Sequence, residues 1–502
     1  MGGCFTLLIH DGFFCVYDFS GDLVLKREVF NILSFFRINN YTFYLVDSSE
    51  FTYELICLLK CSGFSDDNAG EKNTYSCEFS KDRKLQRCTI YFTKRKKTTI
   101  LNAEKICKRK GENIDVYSKE LLSFIVSTCS RPPETMAKIA YNEFVKTIGG
   151  YEKFRDIFPK CSEKVNRFIR NAYDIGFLWI NNAYKGVVLG KGFKVDVNSL
   201  FPFVMKNFYL PFGEGCFFSG KYRKDNLYSR YIQRLSICCK LKENCIPCIR
   251  TKGIDGVGSS FWLEDTQDQY IELTICDCEL NGLFDNYYVF GIDFIDGYKF
   301  RSSKTLFSEY IDRMYLMKQK SKEDDNKIKY RLYKNMMNFL CGNFARNTQF
   351  TKLVPFIDEA GVVQLKEKIL KGIDPVFTPV PAFVNAYSRM FMHSIVKDHY
   401  DKIAYCGIDS IHIIGDDISF IDIGEDIGQF KIDGVFDRAI YFSENKYVTE
   451  KDKKITPVFS GLNSSEYNNL DLDSFLASEI KTRRLKRVKG GAKYVYEKYS
   501  IM

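Results

Sequence analysis

Consecutive prolines interrupt both helix and sheet, and the chain carries one such pair, at Arg131-Pro132-Pro133. The pair separates a strand-rich stretch from a longer one in which helices and strands alternate. Upstream, FTLLI (5–9), FFCVYDF (13–19), the turn SGD, LVLKREVF (23–30) and YTFYLV (41–46) read as an antiparallel sheet. A helix is expected over EFTYELICLLKCSGF (50–64), a basic stretch covers 81–100, and helical periodicity returns at VYSKELLSFIVSTC (116–129). Downstream, 134–172 reads as helical with basic faces and 173–260 as strand-rich. Residues 305–346 read as a long helical region interrupted near SKEDDN, and 481–499 form a basic tail.

Composition narrows the class. With 502 residues, 45% apolar and 27% charged, the chain has material for two to four cores of ordinary globular balance. No run approaches the roughly 18 apolar residues of a membrane span, and no basic-then-apolar leader opens the chain, so a cytoplasmic protein is expected. Met1-Gly2-Gly3-Cys4-Phe5-Thr6 fits a loose N-myristoylation pattern with Cys4 as a second acylation site, but a first β-strand is preferred. Net charge is +10, compatible with a polyanionic partner. The 18 Cys lack framework spacing and suit a reducing compartment. Cys238, Cys239, Cys245 and Cys248 (CCKLKENCIPC) allow a zinc reading, yet the segment also reads as two strands joined at KEN, the preferred reading. Cys276 and Cys278 in ICDCEL read as same-side strand residues. The four His sit in no nucleophile context.

Three stretches carry chemistry. In KVDVNSLFPFVMKNFYLPFGEG (194–215), Asp196 ends a strand, and Ser199, Leu200, Phe201 and Pro202 turn the chain. A carboxylate there, followed by exposed amides, can hold a divalent ion and cradle the phosphates it carries. In RLYKNMMNFLCGNFA (331–345), Lys334 and Asn338 share one helix face that Gly342 extends. In YCGIDS (405–410), Asp409 sits at the tip of a hairpin whose usual D-x-D has become Gly407-Ile408-Asp409. Two carboxylates from distant strands can hold two Mg²⁺ ions about 3.5–4 Å apart. Singly, each stretch reads as a cap, a solvated helix face or a turn.

Taken in order, D-x-x-S-L-[YF]-P, K-x-x-x-N-x-x-x-G and Y-x-x-x-D-S resemble motifs A, B and C of family-B DNA polymerases. The flanks resemble the protein-primed branch of small linear-genome bacteriophages and linear plasmids: Tyr173-Asp174-Ile175-Gly176-Phe177 is similar to its Y-x-G-G link. Residues 374–379 running into AFVNAYSR resemble its approach to motif C, and AIYFSENKYVTE (439–450) its K-x-Y region. The resemblance runs from about 165 to 450 and more faintly through the N-terminal third. It implies an α+β right-hand polymerase, with palm, fingers and thumb behind an N-terminal exonuclease-like (RNase H-like) domain. It implies Asp196, Asp409 and the Val197 carbonyl as ligands for Mg²⁺ or Mn²⁺. Lys334 and Lys318 would serve the triphosphate, Asn338, Phe201 and Leu200 the nucleotide pocket, and Tyr173, Gly176, Lys446 and Tyr447 primer or template DNA. The implied partners are DNA, dNTPs and a terminal priming protein, around a monomer. The implied divisions are an exonuclease-like domain (1–130), a linker (131–189), palm (190–250 and 379–448), a priming-protein insertion (251–304), fingers (305–346), a strand-displacement insertion (347–378) and thumb (449–502).

Departures from the family pattern shape the expectation. Phe201 stands where Tyr is usual, and Phe339 and Cys341 where Ser and Tyr are usual; the K-x-Y triplet aligns as Asn445-Lys446-Tyr447, so its primer-gripping Lys is absent or displaced by one residue. The proofreading site needs four carboxylates within D-x-E, N-x-x-F-D and Y-x-x-x-D. The matching positions hold Asp18, Ser20, Thr52 and Leu121, one acid of four. A polymerase without proofreading is therefore expected. The rival reading is a polymerase-shaped scaffold that binds DNA or the priming protein without catalysis.

Overall fold

The structure is a computed structural model describing residues 4–10, 13–38, 41–46, 55–56, 58–59, 61–65, 72–79, 85–93, 96–129, 133, 135–223, 225–251, 260–346, 349–357, 363–371, 376–459, 471–477, 481–488 and 491–498. It divides into two compact units. One comprises Met1–Gly150, Asp312–Pro375 and Lys486–Lys493; the other comprises Tyr151–Ile311, Val376–Leu485 and Tyr494–Met502.

The first unit is built on a nine-stranded sheet. Its order is Val363–Lys371, Gln349–Ile357, Thr74–Phe79, Leu85–Tyr91, Lys97–Asn102, Thr42–Val46, Cys4–His10, Phe13–Tyr17, Leu23–Glu28. The first three strands form the expected antiparallel meander, but the wholly antiparallel reading of 1–66 fails. Helix Ile32–Ile38 carries the chain back across the sheet, so Thr42–Val46 runs parallel to both Cys4–His10 and Lys97–Asn102. Phe36 on that helix meets Phe43 of the sheet with ring centroids 5.2 Å apart, and both are fully buried, as is Phe14. Cys4, the proposed second acylation site, is a buried residue of the first strand. Residues 1–3 lie outside the described residues, as do 50–54, 57 and 60 of the helix expected at 50–64; of its described residues, 55, 56, 58, 59 and 61 are helical.

The double proline does not end this unit. Tyr44 Oη donates to the Pro133 carbonyl at 3.1 Å. Beyond it, helix Met136–Thr147 packs on helix Lys327–Phe344, where the Phe144 and Phe344 rings lie 6.1 Å apart. The interruption expected near SKEDDN separates helices Ser308–Glu323 and Lys327–Phe344, with Asp325 in the left-handed region (φ 50°).

The second unit holds two principal sheets. Leu210–Ser219, Tyr287–Ser303, Arg230–Leu241 and Ile271–Cys276 form a four-stranded antiparallel sheet in that order. This sheet straddles the division expected at 250/251, because its pairing joins strands on either side of that point. Cys276 ends its strand, and Cys278 lies in the following helix Asp277–Asn286, so the same-side strand reading of that pair fails. The Glu279 carboxylate accepts the Cys276 N–H at 3.0 Å and caps the helix. The other sheet is five-stranded and antiparallel: Phe430–Phe436, Gly192–Val197, Ser410–Ile414, Ile403–Cys406, Trp179–Ile180. Helix Pro379–Val396, buried along most of its length, contacts helix Leu200–Asn207. A three-stranded sheet over 438–459 follows, and the palm–thumb division expected at 448/449 falls inside its strand Lys446–Lys451.

Candidate active site

Strand Gly192–Val197 sits inside the five-stranded sheet, and its alternation decides what it exposes. Val195 and Val197 are buried, while Lys194 and Asp196 turn to the half-buried face. The chain then reverses at Ser199, a non-glycine in the left-handed region (φ 58°, ψ 59°), and enters helix Leu200–Asn207. Leu200 is buried and Phe201 half-buried at its start. Asn198 fixes the reversal, donating through Nδ2 to Gly424 (2.9 Å) and accepting the Gly428 N–H (2.9 Å).

Asp409 reaches the same place along the chain's neighbouring hairpin. Strands Ile403–Cys406 and Ser410–Ile414 are closed by the Gly407 N–H donating to the Ser410 carbonyl at 2.8 Å, leaving Ile408 and Asp409 exposed at the tip. The Val197 N–H donates to the Asp409 carbonyl at 2.7 Å, and Ser410 stands directly opposite Asp196. Two carboxylates 213 positions apart in sequence (409 − 196) are thus anchored on adjoining backbone. They offer hard oxygen donors suited to Mg²⁺ or Mn²⁺. Among the described residues no group of three or more His, Cys, Asp or Glu is placed to hold a metal ion. An ion here would therefore complete its shell from backbone, water or substrate phosphates. The zinc reading of Cys238–Cys248 finds no cluster either; Cys238, Cys239 and Cys248 are buried, and burial pushes the Cys239 thiol up to about 12.

Lys431 gave no sequence signal, whereas the segment around Gly176 was marked by resemblance alone. Lys431, on the strand that flanks Asp196 on its other side, places Nζ 3.1 Å from Asp196 Oδ2. A Cβ at Gly176 would stand 2.6 Å from Ile408 Cγ2, so the bare glycine lets segment 173–177 lie against the hairpin tip. That segment is braced from below. Arg389 donates to the Ile175 carbonyl (2.7 Å) and pairs with Glu279 (2.6 Å), both side chains 2% exposed. Asn385 Nδ2 donates to the Asp174 carbonyl (2.6 Å), and Arg250 pairs with the Asp174 carboxylate (3.3 Å). Tyr173 follows helix Glu163–Ala172, its N–H donating to Ile169.

Behind the hairpin, His412 is fully buried among Tyr405, Tyr441 and Tyr447, with Nδ1 2.9 Å from Tyr441 Oη. Burial, with the Lys194 charge, pulls its imidazole down to about 3. Tyr447, expected to touch primer, is mostly buried in this cluster, and Lys446 begins the same strand, half-buried. Asn445, which precedes it, lies in the left-handed region with φ 60°, a conformation Asn adopts more readily than most residues.

The motif-B residues belong to the first unit. Lys334 and Asn338 are half-buried on one face of helix Lys327–Phe344, and that face stays open at Gly342, where a Cβ would meet nothing within 4 Å. Asn338 Oδ1 is buried without a hydrogen-bond partner among the described residues. Phe339 is 49% exposed, and Cys341 points into the core, its thiol pushed up to about 12 by burial. Lys318 is only 8% exposed and lies over the rings of Tyr315 (5.0 Å) and Tyr330 (5.6 Å).

Of the four exonuclease-like positions, Asp18 turns its Oδ1 back onto the Ser20 (2.9 Å) and Asp22 (3.1 Å) amides, Ser20 is exposed, and Leu121 is fully buried. Thr52 lies outside the described residues.

The sequence profile described as DNA polymerase type B, organellar and viral, matches residues 114–417. The chain belongs to this family. Among its relatives, the DNA polymerase of Bacillus phage B103 is 35% identical over 309 residues, covering 61% of this chain and 53% of that protein. The DNA polymerase of Bacillus phage phi29 is 32% identical over 305 residues (60% and 52%), and that of Streptococcus phage Cp-1 27% over 324 (63% and 56%). The matched region spans about half the length of these curated relatives. In structure, this type-B chain superposes on Phi29 DNA polymerase complexed with primer-template DNA and incoming nucleotides with a TM-score of 0.84, at 23% identity over 99% of this chain and 98% of that one. The post-translocation binary complex gives the same score at 22% identity. The α+β right-hand polymerase fold with an exonuclease-like domain is therefore this chain's fold.

Proposed function

We propose that the chain is a template-directed, protein-primed DNA polymerase that copies a viral or plasmid linear DNA genome in the host cytoplasm and does not proofread. The observation that carries this reading is the junction of motifs A and C, where the Val197 N–H bonds the Asp409 carbonyl and seats Asp196 and Asp409 on adjoining backbone. Both carboxylates, with the Val197 carbonyl, would hold Mg²⁺ or Mn²⁺. Such ions activate a primer 3′-hydroxyl and steady the leaving pyrophosphate. Leu200 and Phe201, at the start of helix Leu200–Asn207, face the incoming sugar; the Phe201 ring keeps the steric bulk that excludes a ribose 2′-hydroxyl. Lys334, helped by Lys318, neutralises the triphosphate, and Asn338 offers a carbonyl with unfilled hydrogen-bonding capacity to the nucleotide. Tyr173, Gly176, Lys446 and Tyr447 guide primer and template.

DNA, dNTPs and a terminal priming protein are the partners of a monomer. The region around 251–304 grips the priming protein, and 347–378 encloses template for strand displacement. Residues 305–346 act as fingers and the chain beyond about 449 as thumb. Primer extension on a primed template with Mg²⁺ or Mn²⁺ tests the reading, with wild type beside Asp409→Asn. A second reading, a non-catalytic replication scaffold, is favoured by Gly407 in place of an acid and by the cation on Asp196. Purified wild type that fails to extend with either metal would favour the scaffold, and extension that survives Asp409→Asn would overturn the metal assignment.

A further inference from the structure

The Asp196 carboxylate already holds a cation. Lys431 is its cross-strand partner on Phe430–Phe436, and directly opposed residues of an antiparallel pair project from the same face, so the ammonium meets Oδ2 at 3.1 Å from within its own strand. The register of that pairing shifts between Ile432 and Gly434, and at this bulge Asp433 sets Oδ1 3.9 Å from the same Lys431 Nζ. Asp433 Oδ2 in turn takes Lys194 Nζ at 2.7 Å. Asp196, Lys431, Asp433 and Lys194 therefore form a row of alternating charge. Asp196 and Asp433 both lie within reach of Lys431, and Asp196, the motif-A acid, is the nearer of the two.

We propose that Lys431 is a resident counter-ion of Asp196 that a divalent cation must displace, and that Asp433 is the seat to which it retreats. The inference rests on the reading of Asp196 as a metal ligand. An ammonium and a divalent ion sharing one carboxylate stand close enough for strong mutual repulsion. Bare, the two acids of the site would repel each other across adjoining backbone; Lys431 relieves that repulsion, at the expense of metal affinity. Gly407 acts in the same direction, since no acid at that position adds negative charge. The nucleotide-free protein thus holds divalent ions weakly, and occupancy rises when phosphates bring their own charge to the site. Lys431 is a positioning residue: it acts through Asp196.

The test is Mn²⁺ binding to the full chain without DNA or nucleotide, followed by isothermal titration calorimetry and by loss of the free-ion electron paramagnetic resonance signal. Lys431→Met is expected to bind Mn²⁺ about threefold to tenfold more tightly than wild type. Lys431→Arg, which keeps the charge, is expected to match wild type. Asp433→Asn is expected to weaken binding in wild type and by a smaller factor in the Lys431→Met background. Asp196→Asn is expected to abolish the site. Should Lys431→Met lose its far-ultraviolet circular dichroism, Lys431→Gln carries the same expectation. Coincident isotherms for wild type and the charge-removed variant, with Asp196→Asn still abolishing binding, would overturn the counter-ion role and leave the metal assignment standing. Mn²⁺ binding that survives Asp196→Asn would overturn the assignment itself.

Discussion

Asp18 and Asp196 both lie near the end of a strand, one in the nine-stranded sheet and the other in the five-stranded sheet, and they use their carboxylates differently. Asp18 follows Phe13–Tyr17 and bonds the amides of Ser20 and Asp22, so its charge is absorbed in shaping its own turn. Around Asp196 the backbone donors have other acceptors: the Val197 N–H goes to Asp409 and the Asn198 N–H to Gln429 (2.8 Å). Its side chain is left for a cation, and Lys431 is there. A strand-end acid is available for chemistry when carbonyls elsewhere in the chain satisfy the amides that follow it.

The largest effect should separate the two regions outright. Asp409→Asn is expected to slow primer extension by about 10³-fold, the several kcal/mol a bound metal contributes. Asp18→Ala should leave extension unchanged, with no 3′-mismatch trimming in either protein. Metal-dependent trimming abolished by Asp18→Ala would break the comparison.

Acid should strike the five-stranded sheet next. The folded pKa of His412, about 3, lies below the ordinary 6.5, so the unfolded chain binds the extra proton between these values. Stability from neutral His412 is complete above about pH 6.5 and is lost as pH falls toward about 3, a change of a few kcal/mol. Denaturant titrations at pH 7 and pH 4.5 should show that fall, and His412→Gln should flatten it.

Gly176→Ala is expected to push Ile408 and lower kcat about tenfold to a hundredfold, the cost of misplacing a reacting group by about 1 Å. Ile408→Ala in the same chain should restore most of the rate; failure of that rescue would dissociate segment 173–177 from the hairpin. The smallest effect is Gly407→Asp. A Cβ there meets only the Ser410 Oγ at under 3 Å (2.4 Å), a hydroxyl that can rotate away. Extension at limiting Mg²⁺ should rise by about threefold, and an unchanged metal dependence would show that the missing acid is immaterial.

What sequence could show here follows from locality. Asp196 and Asp409 were legible because each sits in a short motif whose turn chemistry is written in adjacent residues. Lys334 and Asn338 were legible because helical spacing aligns them. Lys431 was not: a single lysine in FKIDGVF carries no mark of standing opposite Asp196, which only cross-strand register supplies. Gly176 was picked out by resemblance, while its steric reason, the approach of Ile408, is a contact across 232 positions (408 − 176). The double proline misled because a break in regular structure is not a break in packing. The parallel placement of Thr42–Val46 was missed because alternation fixes strand faces and says nothing of strand direction.

The first unit is assembled from separated pieces, Met1–Gly150 and Asp312–Pro375, and that bears on the order in which it can be made. Strand Gln349–Ile357, which extends the sheet beyond Thr74–Phe79 through the Leu353–Phe79 pairing, belongs to the later piece. So does helix Lys327–Phe344, the packing partner of Met136–Thr147. On a ribosome adding ~5–20 residues per second, the intervening residues 151–311 take roughly 10–30 s to synthesise. For that interval the nascent N-terminal sheet carries an unpaired edge and an uncovered apolar helix face, and a slower ribosome lengthens its exposure.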